Sequence, residues 1–529
     1  FRSSAYGQQA GPEPARMAFR VDGRDMKTVD VTAEGAPVIH EARVTIPAGK
    51  RRISVAYLNN YVNMNDPDPA KRGDRNLVVD WFEVERPRAL VNAPETYRRI
   101  FTARPGPGKS AEDAAREILG SFAPRAYRRP LKPGELDRLL SVVTRAMNAG
   151  DTFEDGVRLA LKILLSSPHF LFRVEMDPEP QNPLAVHPLN DFELASRLSY
   201  FLWSSMPDDE LLRAAAGGRL HEEAVLEAQT RRMLADPRSR ALADNFAAQW
   251  LQTRFLDSVS PDPALFPGFD APLKASMEKE TLLFFEAVLE EDRSILDFID
   301  ADFTFLDERL AKHYGIEGVQ GSEFRRVPLS GGQRGGVLTQ GSVLTITSNP
   351  TRTSPVKRGR WILEQVLGEP PPPPPPNVPE LSEAKEETGG TTLRQRMEVH
   401  RADPNCAVCH TRMDAMGFAF ENFDAVGAWR EFDGKLPVDS TGKLPDGTAF
   451  DGPEGLKSVL KESRADFARA LAEKLMTYAL GRGIERHDRC AVDKVVEFLA
   501  ANDYRLKSLI LGIVKTEPFL MRRGGAVER

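Results

Sequence analysis

Along the chain the texture of apolar and polar positions changes near residue 110. Before it, "MAFRV", "KTVDV", "EARVTI", "RRISVAYL" and "NLVVDWFEVE", between residues 17 and 85, alternate apolar with polar residues and are parted by Gly, Pro, Asn and Asp. A period of two sends successive side chains to opposite faces, so these stretches predict the short strands of a small β-sandwich. After it, "SAEDAAREILGSFA", "PGELDRLLSVVTRAM", "FEDGVRLALKILLSS", "LNDFELASRLSYFLW", "HEEAVLEAQTRRMLA" and "SMEKETLLFFEAVLEE" repeat apolar residues three and four apart, the period of a helix that buries one face. The first of these opens on a Ser with an acid three positions on, a helix-start signature, and "RPGPGK" just before it supplies breakers.

The expected fold is therefore multi-domain and mainly α: a β-sandwich over residues 1–88, then helical modules over 105–178 and 186–316. A module over 330–435 and a C-terminal helical module over 452–526 complete it. Seven consecutive prolines at 370–376 predict an extended polyproline spacer of roughly 3.1 Å per residue. A chain of 529 residues exceeds what a single core supports, in keeping with several domains. Its 41% hydrophobic and 28% charged residues fit a folded globular protein, and a net charge of −6 argues against nucleic acid or an anionic membrane as partner. No apolar run approaches the ~20 residues of a transmembrane segment. A start at Phe1 rather than Met is expected of a fragment or processed product, in which a missing signal peptide says nothing of compartment.

The most specific chemistry lies in "NCAVCHTRMD", residues 405 to 414. Cys406 and Cys409 are two of only three cysteines, and His410 follows directly. Two cysteines three apart on a helix can reach the two vinyl groups of one haem edge, and the next residue can ligate the iron; C-x-x-C-H is the attachment signature of haem c. Zinc would need a fourth ligand such as Cys490 or His487, and a structural or chance occurrence is the third reading. "GFAFENFDAVGAWR" places Phe418, Phe420, Phe423 and Trp429 after the anchor, an apolar cover suited to a macrocycle or ordinary core. The sixth iron position is open among His400, Met413, Met416, Met476 and His487, with Met413 too near His410 to reach the opposite haem face.

These residues carry a resemblance. "CAVCHTRMDAMGFAFENFDAVGAWR", with "TRTSPVKRGRWILEQVLGEPPPPPPPNVP" before it and "LAEKLMTYALGRGIERHDRCAVDKVVEFLAANDYRLKSLILGIVKTEPFLMRR" after it, resembles the modular cytochrome-motif proteins of planctomycetes and related bacteria. "AYRRPLKPGELDRL" and "LNDFELASRLSYFLWSSMPDDELL" are similar to the helical modules preceding these in that family, which comprises the domain-of-unknown-function families 1595, 1592, 1588 and 1585. The resemblance implies a C-terminal c-type-cytochrome-like unit with covalent haem at Cys406, Cys409 and His410, in a periplasmic, envelope or secreted protein. It also implies a sandwich similar to calcium-dependent, xylan-binding carbohydrate modules, and hence a polysaccharide ligand.

The stretch "YLNNYVNMNDPDPAKRGDRNLVVDWFEVE" offers Asn59, Asn60, Asp66, Asp68, Asp74, Asn76 and Asp80 as oxygen donors, with Asn60, Asp74 and Asp80 as the candidate calcium set. Tyr57, Tyr61 and Trp81 are available for stacking on sugar. Turns also explain such Asn and Asp residues, as they do Asp439, Asp446 and Asp451 in "DSTGKLPDGTAFDG". "TSNPTRTSPVKRGR" reads as the N-cap of the helix "VKRGRWILEQVL" rather than as a cradle for an anion or a haem propionate. His169, His187, His221 and His313 are scattered and read as structural. The leading expectation is an exported haem-c electron carrier acting at polysaccharide, with an unknown redox partner. A haem-free binding or scaffold protein with a zinc or structural cysteine site is the first rival, and a hydrolase without a nameable site is the second.

Overall fold

The computed structural model describes residues 1–46, 50–85, 94–182, 184–372, 392–400 and 404–524; side chains at 396, 398–400 and 404–409 lie outside the description. The chain forms two compact units, Phe1–Thr102 and Ala103–Arg529.

The first unit is two antiparallel sheets. Strands β1 (Arg2–Gln8), β4 (Val38–Glu41), β6 (Tyr61–Asn63) and β7 (Gly73–Glu83) make one, in the order β4-β1-β7-β6. Strands β2 (Ala15–Val21), β3 (Arg24–Val31) and β5 (Ile53–Tyr57) make the other, in the order β3-β2-β5. The inward residues of both sheets share one core, with Ala5, Leu77 and Phe82 from the first against Met17, Phe19 and Val55 from the second. Alternation is what lets each strand bury one face.

The second unit begins with three helices, Ala111–Tyr127, Glu135–Asn148 and Phe153–Leu165, packed through Ile118, Leu119, Leu140, Val143, Val157 and Leu164. Ser110 and Asp113 form a capping box at the first, and Asn190 and Glu193 do the same at the helix Asp191–Trp203, so these starts are fixed locally. From Leu189 to Phe519 one continuous hydrophobic core runs through the rest of the unit. It takes Leu198 and Phe201, Phe284 and Phe298, Trp361, Phe420 and Phe423, Leu475 and Ile510 from segments far apart in sequence.

The far ends of this region meet. Strand Met521–Arg523 pairs antiparallel with Val186–Pro188, and the buried guanidinium of Arg197 donates to the carbonyls of Pro518 at 2.9 Å and Phe519 at 2.7 Å. The seven-proline run begins at the described Pro370, but residues 373–391 lie outside the described residues.

Candidate functional site

The cysteine motif sits in the helix Pro404–Phe418. The helix Pro355–Trp361 crosses it backbone to backbone. An added Cβ at Gly359 would stand 1.7 Å from the Met413 carbonyl oxygen, and one at Gly417 would stand 1.9 Å from that of Pro355. Only glycine permits such an approach. On another side the hairpin Thr441–Lys443 with Ala449–Asp451 closes in, where a Cβ at Gly442 would meet the Ala415 carbonyl oxygen at 2.8 Å.

Beyond the helix the chain is held by buried charge. Arg358, 2% exposed, donates to the carbonyls of Phe420 at 2.6 Å, Phe423 at 2.9 Å and Asp424 at 2.7 Å. Burial pushes its guanidinium down to about 10. Burial likewise raises the carboxyl of Glu421, whose Oε2 accepts from Thr353 at 2.7 Å and from Arg430 at 3.1 Å. "TSNPTRTSPVKRGR" thus serves structure: Ser354 caps the helix Pro355–Trp361 and Arg358 is committed to main-chain carbonyls.

His410 is the described member of the motif's triad. Its Nδ1 lies 3.0 Å from Oδ1 of Asp414, one helical turn on, and the Asp414 side chain is fully buried while that of His410 is 20% exposed. An i,i+4 pair shares a helix face, so the local spacing itself brings the two together. Asp414 was not singled out by the sequence reading, though its four-residue offset from His410 is the signal that would have found it. The side chains of Cys406, Cys409 and His400 lie outside the described residues; the helix carries both cysteine positions.

His410, with Asp414 beside it, is the described part of the donor set that a haem c would use. A ligating imidazole commonly gives its other ring N–H to a carboxylate, which fixes the tautomer and the ring plane. Asp414 is such a partner on Nδ1, so Nε2 is the nitrogen that would take the iron.

The aromatic sequel belongs to the protein's own core. Phe418 packs with Leu393 and Met397 beneath the Arg394 guanidinium, 4.1 Å from its ring centroid. Phe420 and Phe423 lie in the main core, and Phe423 meets Trp429 edge-on at 5.1 Å. Met413, Met416 and Met476 are buried in the same core. His487 stands 3.5 Å from Glu485 and 3.6 Å from Asp488, and lines a cavity of about 360 Å³ with the exposed Cys490. Among the described residues no three His, Cys, Asp or Glu side chains gather as a metal cluster.

A second buried polar cluster lies next to Phe423. Glu280, wholly enclosed, accepts from Thr304 and Tyr314, each at 2.6 Å, and burial pushes its carboxyl up to about 7. Arg334 stacks 3.6 Å over Tyr314 and 4.8 Å from Phe423.

The four scattered histidines lie apart from the motif helix's His410. His221 bonds the Leu189 carbonyl at 2.7 Å and His313 that of Val426 at 2.8 Å, while His187 faces Asp177 at 3.7 Å and His169 lies edge-on to Tyr127 at 5.3 Å. Asp439 accepts from the Thr441 N–H and Asp446 from that of Thr448, as turn residues do.

In the sandwich, the proposed calcium trio does not converge. Asp74 and Asp80 are six residues apart on β7, roughly 20 Å along an extended strand, too far for one ion. Asn60 and Asp74 sit at the β6 end, where Val62 pairs with Asp74. Asn59 is spent on the backbone, accepting from Arg16 and donating to Pro14, and Asn76 donates to Gln8. Asp66 accepts from Asn63 and from the Asp68 N–H. Of the stacking candidates, Tyr57 donates its hydroxyl to the Arg75 carbonyl at 2.6 Å and joins the core, and Tyr61 lies under the Arg75 guanidinium. Trp81 is 38% exposed and shares a cross-strand row with Ser4 and the exposed Ile39.

Five families match in series. A calcium-dependent, xylan-binding carbohydrate-binding module matches residues 2–99. Four proteins of unknown function follow: DUF1595 at 114–175, DUF1592 at 189–316, DUF1588 at 334–433 and DUF1585 at 446–519. No curated protein and no solved structure matches. No described helix is long and apolar enough to cross a membrane.

Proposed function

Because this chain belongs to the planctomycete-type cytochrome-motif proteins, which string these four families behind a calcium-dependent xylan-binding module, we propose that it is an extracytoplasmic haem-c electron carrier held at polysaccharide. Thioethers from Cys406 and Cys409 would fasten the porphyrin, and Nε2 of His410 would hold the iron. The bound group would supply one-electron chemistry, taking an electron from one partner and passing it to another.

The chain's own work is placement. The glycine-tight crossing at Gly359 and Gly417 fixes the helix that bears the motif, and Asp414 sets the imidazole's tautomer. The observation carrying this reading is that His410 follows the cysteine pair on one helix and has its Nδ1 on a fully buried carboxylate. The sandwich would bring the haem to a xylan-class glycan, with Trp81 as the ring offered for stacking and calcium as the expected ion.

Production in a host with a cytochrome-maturation system, followed by a pyridine haemochrome spectrum, tests it. One covalent haem per chain, lost in Cys406→Ala and Cys409→Ala, is expected. Folded wild-type protein without attached haem refutes the reading.

A further inference from the structure

Three segments of the second unit, far apart in sequence, leave a cleft of about 840 Å³ between them. Leu242–Ala247 with Trp250 forms one wall, Ile362–Val366 the second, and the helix Arg464–Leu480 the third. Each wall comes from a different matched family, DUF1592, DUF1588 and DUF1585 in turn. The first two walls are π-helical, a rare form that recurs at functional sites. Trp250 Nε1 donates to the Gln365 carbonyl at 3.0 Å and ties them together. The third wall brings Glu473, Lys474 and, one turn on, Tyr478 to the cleft.

Polar groups here lack partners from the chain. Gln365 is 6% exposed and lines the cleft, yet among the described residues nothing hydrogen-bonds its side-chain amide. The half-buried side chains of Glu473 and Lys474 likewise make no hydrogen bond or ion pair among the described residues. Folded chains pair nearly all such groups, so a buried amide facing a cleft marks where a partner from outside the chain bonds.

The charges narrow what that partner is. Lys474 only donates, Glu473 only accepts, and the Gln365 amide does both. An anion would be drawn to Lys474 and repelled by Glu473 and Glu364, and a cation would meet the reverse. A neutral molecule rich in hydroxyls, each able to give and to accept a bond, uses all three groups without repulsion. Phe246, stacked on Trp250 at 5.8 Å and 5.6 Å from Tyr478, supplies an apolar floor for the C–H face of a sugar ring. The volume falls within the ~300–1,000 Å³ of small-ligand clefts, which suits a short saccharide rather than a polymer.

We propose that this cleft is a glycan site separate from the sandwich's, binding a short neutral oligosaccharide through Gln365, Glu473 and Lys474. It goes beyond the function above and needs neither the haem nor the sandwich. Only the choice of a xylan-derived probe rests on the sandwich's family.

The test uses the full-length chain in excess chelator, and again as Trp81→Ala, with xylotriose and cellotriose as probes. Reductive methylation read by peptide mass spectrometry reports on Lys474 directly and needs no variant in the cleft to fold. At saturation one or both sugars should slow methylation of Lys474 about tenfold, while the exposed Lys312, outside the cleft, reacts as before. Gln365→Leu removes the amide while keeping an apolar side chain in its place. It should weaken sugar binding about tenfold with the thermal transition unmoved or raised, a combination that a purely structural glutamine does not give. No protection of Lys474 by either sugar overturns the proposal, as does a Gln365→Leu protein that binds as tightly as the wild type. Protection by citrate or spermidine in place of the sugars overturns it too, since the ligand would then be charged. A wild type that attaches no haem counts against the function above and leaves the Lys474 result standing.

Discussion

Replacing Gly417 by alanine puts a methyl group where the Pro355 carbonyl now sits, since the added Cβ would lie 1.9 Å from that oxygen, 2.5 Å from its carbon and 2.6 Å from the Pro355 Cα. Tolerable carbon-to-oxygen separations are ~3 Å or more, so the two helices must part by about 1 Å or abandon the crossing. Overpacking a core by a methylene costs roughly 1–3 kcal/mol when side chains can rotate aside. Here the obstruction is main chain in both directions, which places the expected loss at the upper end, about 3 kcal/mol. Gly359→Ala should cost as much. Because both residues serve one crossing, the double variant should lose clearly less than the sum. Gly120→Ala is the contrast: its Cβ would meet only Leu136 at 3.8 Å within the helix Ala111–Tyr127, so a gain of about 0.5–1 kcal/mol is expected. Urea titrations followed by far-UV circular dichroism read all four proteins, and haem content reads whether His410 and its cysteines keep their geometry. If Gly417→Ala and Gly359→Ala both stay within about 0.5 kcal/mol of the wild type, the crossing is not what holds the motif helix.

Two further outcomes follow from residues outside that helix. Glu280, with its carboxyl pushed up to about 7, stays protonated in the folded state where an unfolded glutamate ionises near 4.3, so its contribution is intact below that value and is lost as pH rises through 7. The loss is of the order of 3 kcal/mol, and Glu280→Gln should flatten stability against pH between 4.5 and 7; an unchanged slope refutes the assignment. For the sandwich, soluble xylan should bind the full chain in calcium and be released by a chelator, and Trp81→Ala should weaken binding at least tenfold with the thermal transition unmoved. Equal affinity for the variant would remove Trp81 from the sugar site.

What could be seen in the sequence is what depends on neighbours in the chain. Ser110 with Asp113 and Asn190 with Glu193 announced their helix starts because a cap is made within four residues. C-x-x-C-H was legible for the same reason. Strand β1 escaped the alternation because its inward positions, Ser3, Ala5 and Gly7, are too small to mark an apolar face, and close sheet packing rather than hydrophobic bulk fills that space. The calcium trio failed because nearness in a quoted segment is not nearness along an extended strand. Phe418, Phe420 and Phe423 followed the motif closely enough to suggest a haem cover, yet their neighbours Arg394, Arg334 and Trp429 come from other elements or fold back from later in the chain. Gly359 and Gly417 gave no sign at all, since only the crossing of two helices shows what a glycine is for.

The pairing of Met521–Arg523 with Val186–Pro188, clamped by Arg197, bears on how such chains are inherited. A recombination event that carried away the chain from the last matched family onward, through Arg523, would strip Val186–Pro188 of its partner strand and leave the Arg197 guanidinium without its carbonyls. Descendants are expected to gain or lose the sandwich freely while the stretch from 186 to 523 passes from ancestor to ancestor as a single heritable block.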